Sequence, residues 1–528
     1  MPCWTPKLTG RWWRRHWSGR MTIPGRPLSA SIWPMFDNPI VNWGVRFWEV
    51  AADRLGLMMN WLYRQVWLRN LVMAAIMLGG CLYLGKYASF NKTMVVQLIG
   101  LTAFLLPAFL LALAKGNGLL IYISLMWAIA PEVRRLADYY MGYYHAVSLI
   151  SLLPLLATGM LLFRILNKGI PENKPVRSMI AMFLIPFGYA AGIGIILNQA
   201  AGLYTVLTAV APLCIFIYLI SHPLKREEKD RFMAMYATLA VLLSIYGWIQ
   251  YIYLPPWDLL WMNGAKMISL GKPAPMQFRV FSTMNSTGPL AIFLISALIP
   301  MVVNRKWRGP FGLVGILIVL STLGTTLVRS AWVTLIVGIL VYLLLSKSAS
   351  RLKIILTLTA VTAAAMLALP LLPNSEQLTD RVGTLGKLEE DGSFNARIGL
   401  ALHAIPEILK APFGMGFGSI GQSSSKLGDG QGFAGLGSVD NGYLGTFATY
   451  GLIGGLLFFR AILLYYRRIR AVPQQDNPYV PLALSTILQL LVAFLFGGGL
   501  EGLSAVIFWL FTGLAFVPEE EASPGDTP

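Results

Sequence analysis

Apolar runs of about 17–22 residues recur along almost the whole chain, each long enough to cross a hydrocarbon core of roughly 30 Å. Lipid offers no partner to a backbone N–H or C=O, so a spanning segment must satisfy its own hydrogen bonds as a helix or close into a barrel. A barrel strand alternates apolar and polar residues over about ten positions, and these runs do not. The expectation is an all-α polytopic transmembrane bundle of about 12–14 spans, near 71–86, 95–114, 117–131, 145–163, 179–198, 203–221, 232–252, 288–303, 311–327, 330–346, 353–373, 438–459, 481–497 and 500–517. Composition agrees: only 12% of the 528 residues are charged, half the roughly 25% of a soluble domain.

The net charge of +18 would suit a nucleic-acid partner, but its distribution argues for topology instead. With the N-terminus in the cytoplasm, 29 of the 42 lysines and arginines fall on the inner side, among them the loops "KREEKDR", "NRKWR" and "RRIR". Inner loops of membrane proteins carry this excess, which also favours contact with anionic lipid. A multi-pass protein of a bacterial cytoplasmic membrane with both termini inside is expected, with no nucleic-acid partner. The three cysteines and four histidines are too scattered for a disulfide framework or a metal site, so no metal and no cofactor is expected.

Three parts break the apolar pattern. Residues 1–70 mix Trp and Arg without a clean apolar core, and 41–70 have the spacing of an amphipathic helix lying in the inner headgroup layer. An irregular tail leading into an ordinary first helix is the alternative. Within the bundle at 71–517, two outer loops are long, 254–287 and 374–438. The second contains "ARIGLALHAIPEILKAP", a short helix stopped by Pro412, and then a Gly/Ser-rich stretch. Loops of this length are commonly functional. Residues 518–528 form a short acidic tail on the cytoplasmic side.

Within "GFGSIG", Gly416 to Gly421, the pattern matches a dinucleotide fingerprint, but it lacks the preceding strand and following helix that such a site needs. Gly416 and Gly418 are better read as residues that let the backbone turn sharply and approach a ligand or helix closely. Three arginines, Arg279, Arg329 and Arg397, are expected at one outer surface, where topology otherwise depletes positive charge. A snorkelling role at helix ends is open to each; so is a joint one, because the guanidinium fork matches the paired oxygens of phosphate. Asp440, next to Asn441 at the lip of an apolar run, has two compatible readings: cap of the helix that follows, or a catalytic carboxylate.

Four segments, in order, resemble the O-antigen polymerase and O-antigen ligase superfamily of bacterial membrane glycosyltransferases. They are "FRVFSTMNSTGPLAIFL", with Arg279 and Asn285; "STLGTTLVRSAWVTLIVG", where Val328 stands in place of a serine before Arg329; "NARIGLALHAIPEILKAPFGMGFGSIG", with Arg397; and "VDNGYLGTFATYGLIGGLLFF", with Asn441 and Tyr443. The resemblance covers roughly 278–459. It implies an inverting, metal-independent enzyme whose donor is a glycan on a polyprenyl diphosphate and whose acceptor is a hydroxyl of a second glycan or lipid-linked glycan. By motif position Arg279, Arg329 and Arg397 would bind the diphosphate. A histidine commonly precedes the Asn in ligases of this family; Asp440 stands there here, as in polymerase-like members, and is the candidate base. His403 is the fallback, on a face of its helix pointing away from Arg397. The reading is a polymerase of lipid-linked repeat units at the outer face of the membrane. The alternatives are ligase-type transfer of a finished glycan or, in a different class, a secondary transporter. A chain-length regulator is a possible partner.

Overall fold

The computed structural model describes residues 92–114, 116–169, 174–346, 355–356, 392–428, 441–473 and 477–516, all within one unit of the chain, Ala52–Pro528. The N-terminal extension, the expected span 71–86, all but residues 355–356 of the expected span 353–373, the acidic tail and Asp440 lie outside the described residues.

Each remaining apolar run folds as helix, and among the described residues there is no strand beyond one isolated bridge, Gly271 with Phe278. In chain order the helices are α1 Lys92–Leu113, α2 Gly118–Met141, α3 Leu149–Lys168, α4 Lys174–Ser221, α5 Arg226–Tyr253, α6 Pro256–Ala265, α7 Thr287–Val303, α8 Gly312–Thr325 and α9 Arg329–Leu345. After the segment outside description come α10 Gly392–Lys410, α11 Gly421–Leu427, α12 Gly442–Arg470, α13 Tyr479–Ala493 and α14 Gly502–Gly513. Six of the described helices are long and apolar enough to cross a membrane, and α7, α8, α9 and α14 are shorter apolar helices. The chain is an all-α membrane bundle.

Two long helices are reversals. At Gln199 (φ 45°, ψ −115°) α4 doubles back, so that Gly194 and Gly202 pack backbone to backbone; the expected spans 179–198 and 203–221 are its two arms. At Gly451 (φ 70°, ψ −176°) α12 also turns. The Tyr443 and Phe459 rings stack with centroids 5.2 Å apart, where a straight helix would hold them about 24 Å apart at 1.5 Å per residue. The span expected as one run over 438–459 is therefore a short helix folded against a long one. A glycine inside an apolar run leaves the hydrophobic period intact, which is why the run reads as continuous.

The core is aromatic where α4, α12 and α14 meet. Phe183, Phe216, Tyr465, Phe508 and Trp509 are all buried. Phe183 and Trp509 meet edge to face at 4.8 Å, as do Phe508 and Trp509, the geometry the ring quadrupoles favour.

One end of the bundle is basic and closed. Lys229 Nζ donates to the Leu514 and Phe516 carbonyls at 2.9 and 2.6 Å, satisfying groups that the end of α14 leaves unpaired. Asp230 accepts from Trp307 Nε1 at 2.7 Å and from the Tyr479 hydroxyl at 2.5 Å. The loop 254–287 and the described part of the second loop, 392–428, lie toward the opposite end.

Candidate functional site

At the loop end the chain between α6 and α7 leaves helix, and Arg279 supplies much of what holds it. Its Nε donates to Thr326 O at 2.9 Å, Nη1 to Ser269 O at 3.2 Å and Nη2 to Leu327 O at 3.3 Å. The backbone runs alongside, with Val280 N donating to Thr325 O at 3.2 Å. Thr326 and Leu327 form the turn between α8 and α9, where Leu327 adopts the left-handed region (φ 53°), and Arg329 is the first residue of α9. Two of the three expected arginines thus share one turn, the first gripping the backbone on which the second stands. Asn285 follows the same loop, its Oδ1 buried without a hydrogen-bond partner among the described residues.

Arg397 lies in the second turn of α10. That helix is seated by Ala404 and Ile408, which pack on Ala448 of α12. His403 lies on the exposed side of the helix.

The stretch from Pro412 to Gly421 wedges between the two reversals. Met415 N and Gly416 N donate to Ala448 O and Thr449 O, both at 2.9 Å, Phe417 N to Ala190 O at 2.9 Å, and Leu452 N to Pro412 O at 2.8 Å. Asn198 Nδ2 donates to Met415 O and Phe417 O at 2.9 and 2.8 Å. Gly416 (φ 73°) and Gly418 (φ 83°) occupy the left-handed region, and a Cβ on either would overlap backbone, that of Gly194 for the first and of Ala201 and Gly202 for the second. The glycines serve a backbone-to-backbone fit between turns, and the target of their close approach is helix. Interrupted helices in transporters line ion and substrate sites with unwound backbone. Here the Ala448, Thr449 and Leu452 backbone groups freed at the Gly451 reversal are taken up by the glycine turn, which removes that argument for transport there.

At the start of α12, Asn441 Oδ1 accepts from Tyr443 N at 3.0 Å and Leu444 N at 3.1 Å. The cap this helix requires is Asn441 itself, one residue beyond Asp440. Tyr443 is anchored through its hydroxyl to Leu491 O of α13 at 2.8 Å, and Ser485 of the same helix donates to Gly338 O of α9 at 2.6 Å. The helix α13 is therefore a common wall between the Arg329 helix and the Asn441 helix.

Gly442 packs against Gly498 in the loop joining α13 to α14. That loop ends in Glu501, which the sequence reading absorbs into a span; the signal for it is a lone acid in "GGGLEGLSA". Although part of the residue is exposed, burial of its carboxyl pushes its pKa up from the ordinary 4.5 to about 6, and it lies within electrostatic reach of Tyr204 and Tyr450. A carboxyl with a raised folded pKa favours the fold while protonated and loses that contribution as pH rises through the folded value. Glu501→Gln is therefore expected to raise the melting temperature in detergent at pH 8 and to leave it unchanged near pH 4.5. An equal shift at both pH values would show that the charge is not responsible.

Among the described residues no group of three or more His, Cys, Asp or Glu is placed to hold a metal ion.

Residues 314–459, from α8 through the reversal of α12, match the family model described as O-antigen ligase. This part of the chain is similar to the O-antigen ligase domain, a match that supports the O-antigen ligase and polymerase superfamily and, with it, glycan processing at a membrane. Arg329, Arg397, His403, Gly416, Gly418, Asp440, Asn441 and Tyr443 fall inside the matched residues, whereas Arg279 and Asn285 precede them. No curated protein and no solved structure matches the chain.

Proposed function

We propose that this protein polymerises oligosaccharide repeat units carried on a polyprenyl diphosphate, at the outer face of a bacterial cytoplasmic membrane. The observation that carries the reading is the similarity to the O-antigen ligase domain at 314–459, with an aspartate at 440 where ligases of this family commonly have a histidine. An acceptor hydroxyl attacks the anomeric carbon of the donor, forming the new glycosidic bond with inversion. The bond from that carbon to the diphosphate breaks, and its electron pair leaves with the polyprenyl diphosphate. Asp440 takes the acceptor proton, and Arg329 and Arg397 hold the diphosphate as its charge grows. Arg279 joins them from the far side of the turn it braces. Fixed guanidinium groups are worth most in such a place, where little water screens them. No metal ion is required by this scheme, and the basic end of the bundle faces the cytoplasm.

Ligase-type transfer remains the second reading because the matched family is described by that activity. The two differ in what accumulates when the gene is deleted. Loss of a polymerase leaves single repeat units on the lipid carrier, whereas loss of a ligase leaves finished polymer on it. The first pattern is expected, and the second would replace polymerase by ligase.

A further inference from the structure

Outside the matched residues, α2, α5 and α6 build a buried ionic cluster whose donors converge on a loop. Arg135 is fully buried, as are Asp258 and Gln250. Arg135 Nε lies 3.1 Å from Asp258 Oδ1, Nη1 donates to Met284 O at 3.1 Å and Nη2 to Ser282 O at 2.6 Å; Glu132 pairs with the same guanidinium. Gln250 Nε2 donates to Asp258 Oδ2 at 2.9 Å and Ser282 O at 3.1 Å, while its Oε1 accepts from Ser282 N at 2.8 Å and Phe281 N at 3.3 Å. The Tyr246 hydroxyl lies 2.6 Å from Glu132 Oε1 and 2.8 Å from Asp258 Oδ2.

The object of this clamp is the backbone from Phe281 to Met284. Ser282 sits at φ 50°, a conformation costly for a residue with a side chain, and such strain persists only where the surroundings over-determine it. On one side of the clamped residues is Arg279, which grips the turn before Arg329; on the other is Asn285, whose buried Oδ1 has no partner among the described residues. Stability alone is a weak reason for the arrangement, because well-packed apolar side chains commonly replace a buried ion pair without loss. The guanidinium fork, by contrast, sets the positions of two carbonyls at once.

We propose that Arg135 and Asp258 are positioning residues for the lipid-linked donor: their buried pair, completed by Gln250, fixes the turn that presents Arg279 and Asn285 to it. This rests on the polymerase or ligase reading above. Neither residue touches the donor; each acts through the backbone of residues 281–284.

The test uses the full-length protein in proteoliposomes with a synthetic lipid-linked repeat unit as donor and a lipid-free repeat-unit oligosaccharide as acceptor, so that donor and acceptor kinetics are read separately. A neutral swap of the cluster, Glu132→Gln with Arg135→Met and Asp258→Leu, leaves the Ser282 and Met284 carbonyls without their donor and is expected to lower the melting temperature while the protein still inserts. Its kcat/KM for donor is expected to fall about 100-fold, the scale of a displacement of about 1 Å at a site, with the acceptor KM unchanged. Arg135→Lys, which keeps the charge but not the fork, is expected to lose part of the same quantity, and it carries the test if the triple variant does not insert. Unchanged donor kinetics, or an equal loss toward donor and acceptor, would overturn the positioning role. A wild-type protein that transfers nothing from the lipid-linked donor would instead overturn the reading on which it rests, and this inference with it.

Discussion

Asp440→Asn is expected to leave the lipid-linked donor bound and to lower turnover by about 10²–10⁴-fold, the contribution a positioned general base ordinarily makes. Asparagine matches aspartate in size and keeps a hydrogen-bonding oxygen but takes up no proton. The strength of the test lies in Asn441. Its side chain already receives both the Tyr443 and Leu444 amides, so a loss of rate in Asp440→Asn cannot be assigned to an uncapped helix. Asn441→Ala supplies the control: loss of a cap costs about 1 kcal/mol of stability and should appear in the melting temperature before it appears in the rate. Donor binding by equilibrium partition and initial rates of transfer separate the cases. Full turnover in Asp440→Asn would remove Asp440 as the base and return attention to His403.

Arg329→Ala and Arg397→Ala are each expected to reduce transfer by about 10²–10³-fold, the usual cost of deleting one fixed donor to a developing oxyanion. Lysine at either position should restore only part of this, since an ammonium group is a point charge without the paired geometry that suits a diphosphate. Arg279→Ala should differ in kind. Its side chain holds the Ser269, Thr326 and Leu327 carbonyls, and charged hydrogen bonds contribute about 1.5–3 kcal/mol each. That variant is therefore expected to lose both activity and thermal stability, with the melting temperature falling in Arg279→Ala and holding in Arg397→Ala. Normal product from Arg329→Ala and Arg397→Ala together would remove the diphosphate site.

The helical bundle is legible in the sequence because the membrane imposes one rule on every span, and the apolar runs report it locally. The "NQAAG" interruption reveals even the reversal of α4. The reversal at Gly451 is not legible, because what permits it is the turn from Pro412 to Gly416, which satisfies backbone groups far along the chain. The same holds for the ionic cluster. "PEVRRLADYY" reads as a polar connection between spans, yet Arg135 and Asp138 are buried, the first facing Asp258 and the Ser282 and Met284 carbonyls, the second facing His145. The pairing of Arg279 with the Arg329 turn lies between these extremes: topology brings both to one surface, and only the folded loop shows one bracing the other.

The central claim is polymerisation, and the most direct measurement is reconstitution. The purified full-length protein, in proteoliposomes supplied with a single lipid-linked repeat unit and no other sugar acceptor, is expected to yield a ladder of products that differ by one repeat, with release of polyprenyl diphosphate in proportion. A single transfer that requires a separate acceptor lipid, or solute uptake without any lipid-linked sugar, would contradict it.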